Sequence, residues 1–546
     1  MKTIAVIEAD FARGVLGTRA RLNDDLLGET VLRRTLRRVL AAKRVDRTHL
    51  VVHRRERHLA DAAVAGLDVV VQTHDAGSVP WREMVASGRK WSLDAWRGGL
   101  VGTTVFDESL NPWLIDAVCR MDHADAVVAV PSAAPLLDPD LLDRLIDHYD
   151  QVRAEMRLAL TQTAPGLSAI VCQPALLAEL AKAGQPLCRI MAYRPEEPRK
   201  DLATQSAYYA VPAEISHAVG RCIADTQAAL DRVAQILVET ARDNQTPDAT
   251  TASRWLLDHR YDQIGVLPEE VEIELTTEDS LPNTTLRPRG SAVGRRGPMS
   301  MDMYKRLIDE LATRDDARIV LGGFGDPLLH PEWPAMAAYA RQAGILGIAV
   351  RTTGINLDAS AIDALMSPRV DVLNVLIDAM TPATYRDVHR ADCYQQVAAN
   401  IEALCIANHQ RRQPQPLIVC EMAKTRATIS EMEKFFDHWI AKTGSVYVAG
   451  PSHYARQWPE LAVMSMAPPA RVPCYRIFRR TFVLADGRVT VCDQDYRGNH
   501  AIGSLTDTSL SSLWTGPIMM AVRRSHLDHR FDGIPLCPLC EEWNRP

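Results

Sequence analysis

Four cysteine residues near the C-terminus have the spacing of a metal-binding set. They are Cys474, Cys492, Cys537 and Cys540. The last two form a CxxC pair, which can present two thiolates to one metal while the backbone N–H groups of the turn lie near the sulfur atoms. Four thiolates suit either a tetrahedral zinc ion or a cubane iron–sulfur cluster. The simpler alternative is four unrelated buried cysteines.

The segment that precedes Cys492 predicts a β-hairpin. Two runs of β-forming residues, within 482–491, are joined by Asp486-Gly487, a dipeptide that favours a tight turn. Such a hairpin would hold Cys492 rigidly and would place Cys474 just ahead of the first strand. The other seven cysteines are scattered singly, mostly among apolar neighbours, and are interpreted as small buried side chains.

Residues 474–540 resemble the SPASM/Twitch extension of radical S-adenosylmethionine (SAM) proteins. The resemblance rests on the Cys474…Gly487…Cys492 spacing, on the segments 502–505 and 509–514, and on the final CxxC pair. In that family the extension binds one or two auxiliary [4Fe-4S] clusters. Because only four cysteines are present here, the resemblance implies one [4Fe-4S] cluster, with zinc as the alternative.

The central part of the chain resembles the barrel of the same family. Gly323, Gly325 and Asp326 lie in a segment similar to the GxGEPLLxP strand end, where the backbone approaches the amino group of SAM and an acid contacts its ammonium. Asp326 stands where Glu is usual. The segments 352–354 and 375–379 resemble two further strand ends of the family, so the resemblance implies a partial (β/α) barrel with SAM as a ligand.

The cysteine motif CxxxCxxC of that family has no counterpart in this chain. Its three cysteine positions correspond to Asp279, Asn283 and Leu286. A [4Fe-4S] cluster needs several soft thiolates, and a leucine cannot bind iron. The sequence therefore predicts that the barrel does not generate a deoxyadenosyl radical through the usual site.

The replaced loop is basic. It contains four arginines, which are Arg287, Arg289, Arg295 and Arg296. Guanidinium groups bind phosphate and carboxylate groups through paired N–H donors, so the loop could hold an anion. The alternative is a solvated surface loop.

Residues near the N-terminus resemble the sugar-activating nucleotidyltransferases, particularly the cytidylyltransferase-like group with a GT-A-type fold. Gly14, Gly17, Thr18 and Arg19 follow the first predicted strand. In that family such a loop wraps the triphosphate, because glycines permit close backbone approach and Arg neutralises phosphate charge. The resemblance implies a nucleotide or nucleotide sugar, together with Mg²⁺, as the ligand.

Two positions of that domain depart from the family pattern. Ala133 occupies the place of the aspartate that normally holds the catalytic Mg²⁺. Asp225 lies in a segment similar to a late acidic region of the family, so it is a candidate second metal ligand; the alternative is an ordinary helix residue. With one carboxylate lost, stabilisation of the leaving pyrophosphate would be poorer.

The elements that must position these residues alternate between strands and helices. This alternation predicts a mixed α/β protein with mostly parallel sheets. We expect a nucleotidyltransferase-like domain at 1–243, a linker at 244–255, a degenerate radical SAM-like barrel at 256–465 and a small cluster domain at 466–546. A polar stretch without periodicity, which begins at Asp243, indicates the linker.

Composition narrows the classes of function. The chain has 546 residues, 24% of them charged, and a net charge of −6. This balance argues against a general nucleic-acid binder, and no apolar run is long enough to predict a membrane span. The N-terminus lacks the features of a signal peptide, so we expect a cytoplasmic location.

The sequence favours an iron–sulfur protein of the radical SAM/SPASM type that has lost SAM-radical chemistry and binds a nucleotide through its N-terminal domain. An active nucleotidyltransferase of surface-glycan or modified-sugar biosynthesis is one alternative. A scaffold with a structural cluster is the other. The sequence does not decide whether either upstream domain is catalytic, and it identifies no protein partner.

Overall fold

The computed structural model describes residues 1–77, 80–198, 200–240 and 246–545. The chain divides into two compact units, Met1–Gln263 and Ile264–Pro546. Within the described ranges, no helix is both long and apolar enough to cross a membrane.

The N-terminal unit contains a six-stranded sheet with the strand order β3-β2-β1-β4-β6-β5. β1 to β4 are parallel, whereas β6 runs antiparallel to both β4 and β5. The first strand is buried along almost its whole length, as expected for a central strand with helices on both faces. The strands are β1 (Thr3–Ala9), β2 (Arg47–His53), β3 (Val70–His74), β4 (Ala126–Pro131), β5 (Leu158–Ala159) and β6 (Ile170–Cys172).

The helices of this unit cover the sheet with their apolar faces. In the first helix the side chain of Thr30 accepts a hydrogen bond from the N–H of Arg33, which caps the N-terminus. The helices are Val31–Leu40, Arg57–Ala63, Pro80–Arg89, Val105–Ser109, Pro112–Asp122, Pro139–Val152, Pro174–Ala183, Cys188–Met191, Ala213–Ser216, Gln227–Thr240 and Ala249–Asp258.

The last of these helices differs from the predicted linker at 244–255. Asp243, Asn244 and Gln245 lie outside the described residues, but the following residues form the helix Ala249–Asp258. The side chain of Asp248 caps this helix, and Trp255 is buried in the core of the N-terminal unit. The polar residues that suggested a linker form the N-terminal part of this helix. The later apolar residues of the helix, such as Trp255, form its buried face.

The C-terminal unit contains a nine-stranded sheet with the order β12-β11-β10-β9-β8-β7-β13-β14-β15. β7 to β12 are parallel and alternate with helices, which is the predicted βα pattern. The strands are β7 (Glu270–Glu274), β8 (Arg318–Gly322), β9 (Gly347–Thr352), β10 (Val372–Leu376), β11 (Leu417–Ala423), β12 (Val446–Ala449), β13 (Arg480–Val483), β14 (Arg488–Thr490) and β15 (Ala501–Ser504).

The helices of the C-terminal unit follow from their sequence periodicity. Met301–Leu311 buries residues at helical spacing, and the Ser300 side chain caps it by accepting from the N–H of Met303. The helices are Met301–Leu311, Trp333–Ala343, Ala359–Met366, Pro382–His389, Tyr394–Arg411, Met432–Thr443, Arg476–Arg479, Leu510–Trp514 and Pro517–Leu527.

The predicted hairpin before Cys492 is confirmed by antiparallel pairing of β13 and β14. Gly487 adopts a φ of 86° in its turn, a conformation that glycine favours. β13 also pairs in parallel with β7, so the predicted segments 256–465 and 466–546 share one sheet. The hairpin thereby anchors the cysteine-bearing region directly on the first strand of the parallel series.

Candidate metal centre and other predicted sites

Three separate elements supply the four C-terminal cysteines. Cys474 lies just before the helix Arg476–Arg479, and Cys492 follows β14. Cys537 and Cys540 flank a short turn in which the N–H of Cys540 donates to the carbonyl of Cys537 at 3.2 Å. Cys474 and Cys537 are buried, whereas Cys492 and Cys540 are partly exposed.

The four thiols lie close enough to influence one another. Burial raises the pKa of both Cys537 and Cys540 to about 12, and the neighbouring Cys474 adds to the effect on each. Burial also raises the pKa of Cys492, with smaller contributions from Cys540 and Cys537. The structure therefore brings together all four residues that the sequence selected.

The four thiols suit either of the two predicted metal centres. A tetrahedral zinc ion takes four thiolates at Zn–S distances of about 2.3 Å. A cubane iron–sulfur core takes one thiolate at each of its four iron atoms.

Two arginines lie beside these sulfurs, together with the acids Asp493 and Glu542. Burial alone would lower the pKa of Arg476, but Asp493, at 2.9 Å, and the thiols of Cys492 and Cys474 raise it above its usual value. The guanidinium of Arg471 donates to the carbonyl of Cys537 at 2.6 Å. An anionic four-thiolate cluster would be stabilised by both cations.

A backbone donor also reaches the sulfur set. The N–H of Glu542 donates to the Sγ of Cys540 at 3.2 Å. Hydrogen bonds to ligating sulfurs stabilise the thiolate form and tune an iron–sulfur cluster. The donor set and its surroundings therefore fit a [4Fe-4S] cluster.

The loop after β7, where the barrel family has CxxxCxxC, is held by a buried ion pair. Asp279, at the first cysteine position, accepts from Arg289 at 2.6 Å, and the two side chains are 0% and 4% exposed. Asn283 is exposed. Leu286 packs in an apolar cluster with Val388. These three side chains do not fit an iron–sulfur cluster.

The other arginines of this loop are mostly internal as well. Arg296 makes a two-pronged ion pair with Glu274 at 2.7 and 2.9 Å, and Arg287 pairs with Asp378 at 2.7 Å. Arg295 is exposed. Arg287, Arg289 and Arg296 thus neutralise buried carboxylates. Only Arg295 fits the interpretation of the loop as an anion site or as a solvated surface loop.

The carboxylate of Asp326 is hydrogen-bonded to nearby groups of the protein itself. Its carboxylate is fully buried and accepts from the hydroxyls of Thr352 and Thr353 and from the N–H of Leu328. Burial raises the pKa of Asp326, which these hydrogen bonds partly offset. The predicted contact with a SAM ammonium would require this closed set of hydrogen bonds to open.

Gly323 and Gly325 are required by the packing of the chain itself. A Cβ atom on Gly325 would lie 2.1 Å from the carbonyl oxygen of Thr276, and one on Gly323 would lie 2.7 Å from the Cβ of Glu274. The N–H of Asp326 donates to the carbonyl of Glu278 at 2.8 Å. The bend at 323–326 therefore packs against the loop after β7. In the radical SAM family the corresponding bend packs against SAM.

The glycine-rich loop after β1 has the predicted tight turn. Gly17 has a φ of 87°, and a Cβ on Gly14 would lie 2.8 Å from the hydroxyl of Thr18. That hydroxyl donates to the carbonyl of Asp225 at 3.1 Å. Arg19 is solvent-exposed and pairs with Asp24 at 2.6 Å.

Asp225 does not present a carboxylate for metal binding. Both of its oxygens accept from the buried guanidinium of Arg221, at 2.7 and 2.5 Å. Arg221 also pairs with Glu108, which in turn accepts from Arg89 at 2.8 Å. Burial raises the pKa of Asp225, although Arg221 opposes this. The predicted second metal ligand is thus a member of a buried ion-pair network.

Two family models match the chain. A model of the Radical SAM superfamily matches residues 284–410, and the SPASM model, which describes an iron–sulfur cluster-binding domain, matches residues 474–541. The chain carries a radical SAM domain and a SPASM domain. The SPASM match includes all four cysteines, and the radical SAM match begins after Asp279 and Asn283.

Individual proteins are similar at low identity. A protein of Treponema pallidum of uncharacterised function is 23% identical over 299 residues, which cover 53% of this chain and 82% of that protein. The structure of BtrN in complex with AdoMet and 2-DOIA is 16% identical, covers 50% of this chain and 93% of that chain, and has a TM-score of 0.35. The structure of a cytidylyltransferase from Leptospira borgpetersenii covers 48% of this chain and 95% of that chain, with 13% identity and a TM-score of 0.32.

The sequence reasoning missed the residues that support the SPASM cysteines. Arg476 lies two residues after Cys474, a spacing that could have indicated a charge beside the metal centre. Arg471, Asp493 and Glu542 likewise lie within three residues of a cysteine, so the same short spacing could have indicated them.

Proposed function

We propose that this protein is an iron–sulfur protein with one [4Fe-4S] cluster, bound in its SPASM domain, and that its radical SAM domain does not cleave SAM to a radical. The buried Asp279–Arg289 ion pair carries this proposal. It occupies the first position of the motif that would hold a second cluster. Replacing a buried carboxylate–guanidinium pair by iron would leave the guanidinium without its partner.

Distribution of cysteines along the sequence supports the same proposal. Residues 223–392, which include the whole loop after β7, contain no cysteine. The next cysteines are Cys393, which precedes the helix Tyr394–Arg411, Cys405 within that helix, and Cys420 within β11. A cluster in the loop would have to rely on Asp279 and Asn283, which are hard ligands that iron–sulfur clusters rarely accept.

Cys474, Cys492, Cys537 and Cys540 would hold the cluster, which supplies one-electron transfer or a rigid cross-link when bound. Arg471 and Arg476 offset its negative charge. The surrounding side chains exclude water from Cys474 and Cys537, the two buried ligands.

Anaerobic reconstitution followed by iron analysis tests this proposal. We expect roughly four irons per chain and no zinc, and no deoxyadenosine when SAM and a strong reductant are added. Roughly eight irons per chain, or reductive cleavage of SAM, would contradict it. The enclosed Asp326 further leads us to expect weak or absent SAM binding.

For the N-terminal unit we propose nucleotide or nucleotide-sugar binding without nucleotidyl transfer. The tight loop with Gly14, Gly17 and Thr18 and the exposed Arg19 supports binding. The engagement of Asp225 by Arg221, together with Ala133, argues against the alternative of an active transferase. A scaffold with a structural cluster is the remaining alternative.

Calorimetry with CTP, GTP and UTP tests nucleotide binding. We expect binding that Arg19→Ala weakens and that Mg²⁺ changes little. If none of the three nucleotides binds at millimolar concentration, the proposal of nucleotide binding is wrong, and the scaffold with a structural cluster is the alternative that remains.

We also propose a cytoplasmic location. None of the eleven cysteines, all of which belong to described residues, forms a disulfide, and several of them are buried far from the SPASM domain in sequence. Free thiols and iron–sulfur ligands both persist in a reducing compartment.

A further inference from the structure

An ion pair connects two of the segments that carry the SPASM cysteines. Arg476 is the first residue of the short helix that begins two residues after Cys474, and Asp493 directly follows Cys492. A guanidinium nitrogen of Arg476 lies 2.9 Å from Oδ1 of Asp493. One member of the pair is therefore fixed beside one predicted ligand, and the other member beside a second.

The pair is largely enclosed, yet its hydrogen bonding is incomplete. The side chain of Arg476 is 12% exposed and that of Asp493 is 25% exposed. Nε of Arg476 and Oδ1 of Asp493 are both buried, and neither has a hydrogen-bond partner in the part of the chain that the structure describes. Buried polar atoms are normally hydrogen-bonded, and a redox role or a bound ion accounts for some of the exceptions. The contact between the two residues is thus an electrostatic one.

Both charges act on the cysteine thiols, and they do so with opposite signs. Burial raises the pKa of Cys492; Asp493 adds to this effect, whereas Arg476 opposes it. Burial also raises the pKa of Cys540, and Arg476 again opposes the change. The carboxylate therefore disfavours negative charge on these sulfurs, and the guanidinium favours it.

Two further arginines act on Asp493 from the sheet of the C-terminal unit. Burial would raise the pKa of Asp493, but Arg480 and Arg351 help to hold it below its usual value. Each of them has a carboxylate of its own on β7, because Arg480 lies 3.4 Å from Glu270 and Arg351 lies 3.0 Å from Glu272. The guanidinium beside the sulfurs is thus the cation that lies closest to the charge of Asp493 among these three.

Nearby charge is one of the features that set the reduction potential of an iron–sulfur cluster. Reduction transfers one electron from an external low-potential reductant to the cluster, and it breaks no bond to the protein. The added negative charge is favoured by a cation and opposed by a carboxylate, most strongly where water is excluded. We infer that the ion pair of Arg476 and Asp493 sets the reduction potential of the SPASM cluster, with Arg476 raising it and Asp493 lowering it.

This inference rests on the proposed [4Fe-4S] cluster and assigns to the two residues a role at a redox-active centre. A structural zinc ion takes up no electron, so the pair would have no such role beside zinc. A purely structural ion pair would affect the retention of the metal without a defined sign on the potential. The sign of the shift therefore separates the two roles.

A redox titration followed by EPR, on the reconstituted full chain with dithionite as the reductant, tests the inference. In Arg476→Met the ratio of reduced to oxidised cluster at a fixed solution potential should fall roughly tenfold or more, which lowers the midpoint potential by about 59 mV or more. Asp493→Asn should raise the ratio by a similar factor. Arg476→Met/Asp493→Asn removes both charges and should return the ratio to within about threefold of wild type.

Two further variants control for effects other than charge. Arg476→Lys keeps the positive charge and should retain most of the wild-type potential. Arg524→Met removes an arginine from an exposed ion pair with Asp528 elsewhere in the SPASM domain, and it should leave the potential unchanged. Iron is counted in every variant, so that only chains with an intact cluster are compared. If Arg476→Met loses its iron, Asp493→Asn decides, because the inference requires its potential to rise.

Three results would overturn the inference. Iron-loaded Arg476→Met and Asp493→Asn with the wild-type potential, or with shifts of the same sign, would do so and would leave the proposed cluster intact. Arg476→Lys with a shift as large as that of Arg476→Met would show that the charge is not responsible. Wild-type protein that takes up no iron would overturn both the inference and the proposed function, and the iron count distinguishes this failure from the others.

Discussion

Asp279 and Arg289 form a buried ion pair with an oxygen–nitrogen distance of 2.6 Å in the loop that follows β7. The pair stands at the edge of the sheet where the parallel strands end, next to the bend at 323–326. Its carboxylate lies at the position that the sequence resemblance assigns to the first cysteine of the family motif. This pair and the pair of Arg296 with Glu274 hold the loop in its place in the fold.

Removing one partner of this pair should destabilise the C-terminal unit. Asp279→Ala leaves the Arg289 guanidinium buried and unpaired, which costs about 3–5 kcal/mol of unfolding free energy. Urea unfolding measures this loss. Asp279→Ala/Arg289→Met should recover much of it, and a loss below about 1 kcal/mol in the single variant would show that the pair is dispensable.

The bend at Gly325 should not tolerate a side chain. Gly325→Ala would place a Cβ 2.1 Å from the carbonyl oxygen of Thr276 and 2.8 Å from that of Glu278. Because both neighbours are backbone atoms, we expect a loss of about 3 kcal/mol or more. Gly297→Ala, where no atom lies within 4 Å, is the control. Equal thermal stability of the two variants would refute the close packing.

Iron content should depend on the four SPASM cysteines and on no other cysteine. Cys537→Ala removes a thiolate and should lower iron to well under half of wild type, with loss of the visible absorbance. Cys420→Ala, at a buried cysteine of β11, should retain both. An EPR spectrum of the reduced protein checks the cluster type, and iron loss in both variants would argue against the assignment.

The network around Arg221 should be structural. Arg221→Met leaves Asp225 and Glu108 buried without this cation, so we expect a loss of about 3–5 kcal/mol. Hydrogen exchange of the helix Gln227–Thr240 measures it. Arg254→Met, at an exposed ion pair with Glu214, should leave the exchange unchanged. If Arg221→Met is well folded and binds Mg²⁺, Asp225 is a ligand after all.

Acid should weaken the C-terminal unit through His389. Burial, with a smaller effect of Arg287, lowers the pKa of His389 to about 3 from its ordinary 6.5. The fold therefore holds the neutral imidazole, and its stability is full above about pH 6.5 and falls as the pH decreases toward about 3. By about pH 5 the loss from this group is about 2 kcal/mol.

His389→Gln tests this assignment, because glutamine does not titrate. Urea unfolding near neutral pH and near pH 5 should show a smaller loss in the variant than in wild type, by about 2 kcal/mol. An identical pH dependence in the two proteins would mean that His389 is protonated without cost.

The sequence was most informative where chemistry depends on residue type and short spacing. The CxxC pair and the Asp486-Gly487 turn predicted the positions of Cys492, Cys537 and Cys540, because hairpins and CxxC turns form from local interactions. The sequence was less informative for 249–258, where a polar helix start was interpreted as a linker.

Long-range packing decided what these residues contact. The sequence by itself showed that thiolates are missing after β7 and present near the C-terminus. Only the tertiary structure paired Asp279 with Arg289, joined Arg221 to Glu108, and brought Arg476 to Asp493. The first two pairs are separated by 10 and 113 residues along the chain, so no local spacing encodes them.

Periodicity thus predicted the strands and the helices, and residue type and spacing predicted the four metal-binding cysteines, because these features depend on local interactions. The tertiary structure decided which carboxylates are neutralised and which still face solvent. The physical reason is that a buried charge needs a partner, and the fold decides which residue supplies it, whether that residue is near in sequence, as Asp225 is to Arg221, or far away, as Glu108 is.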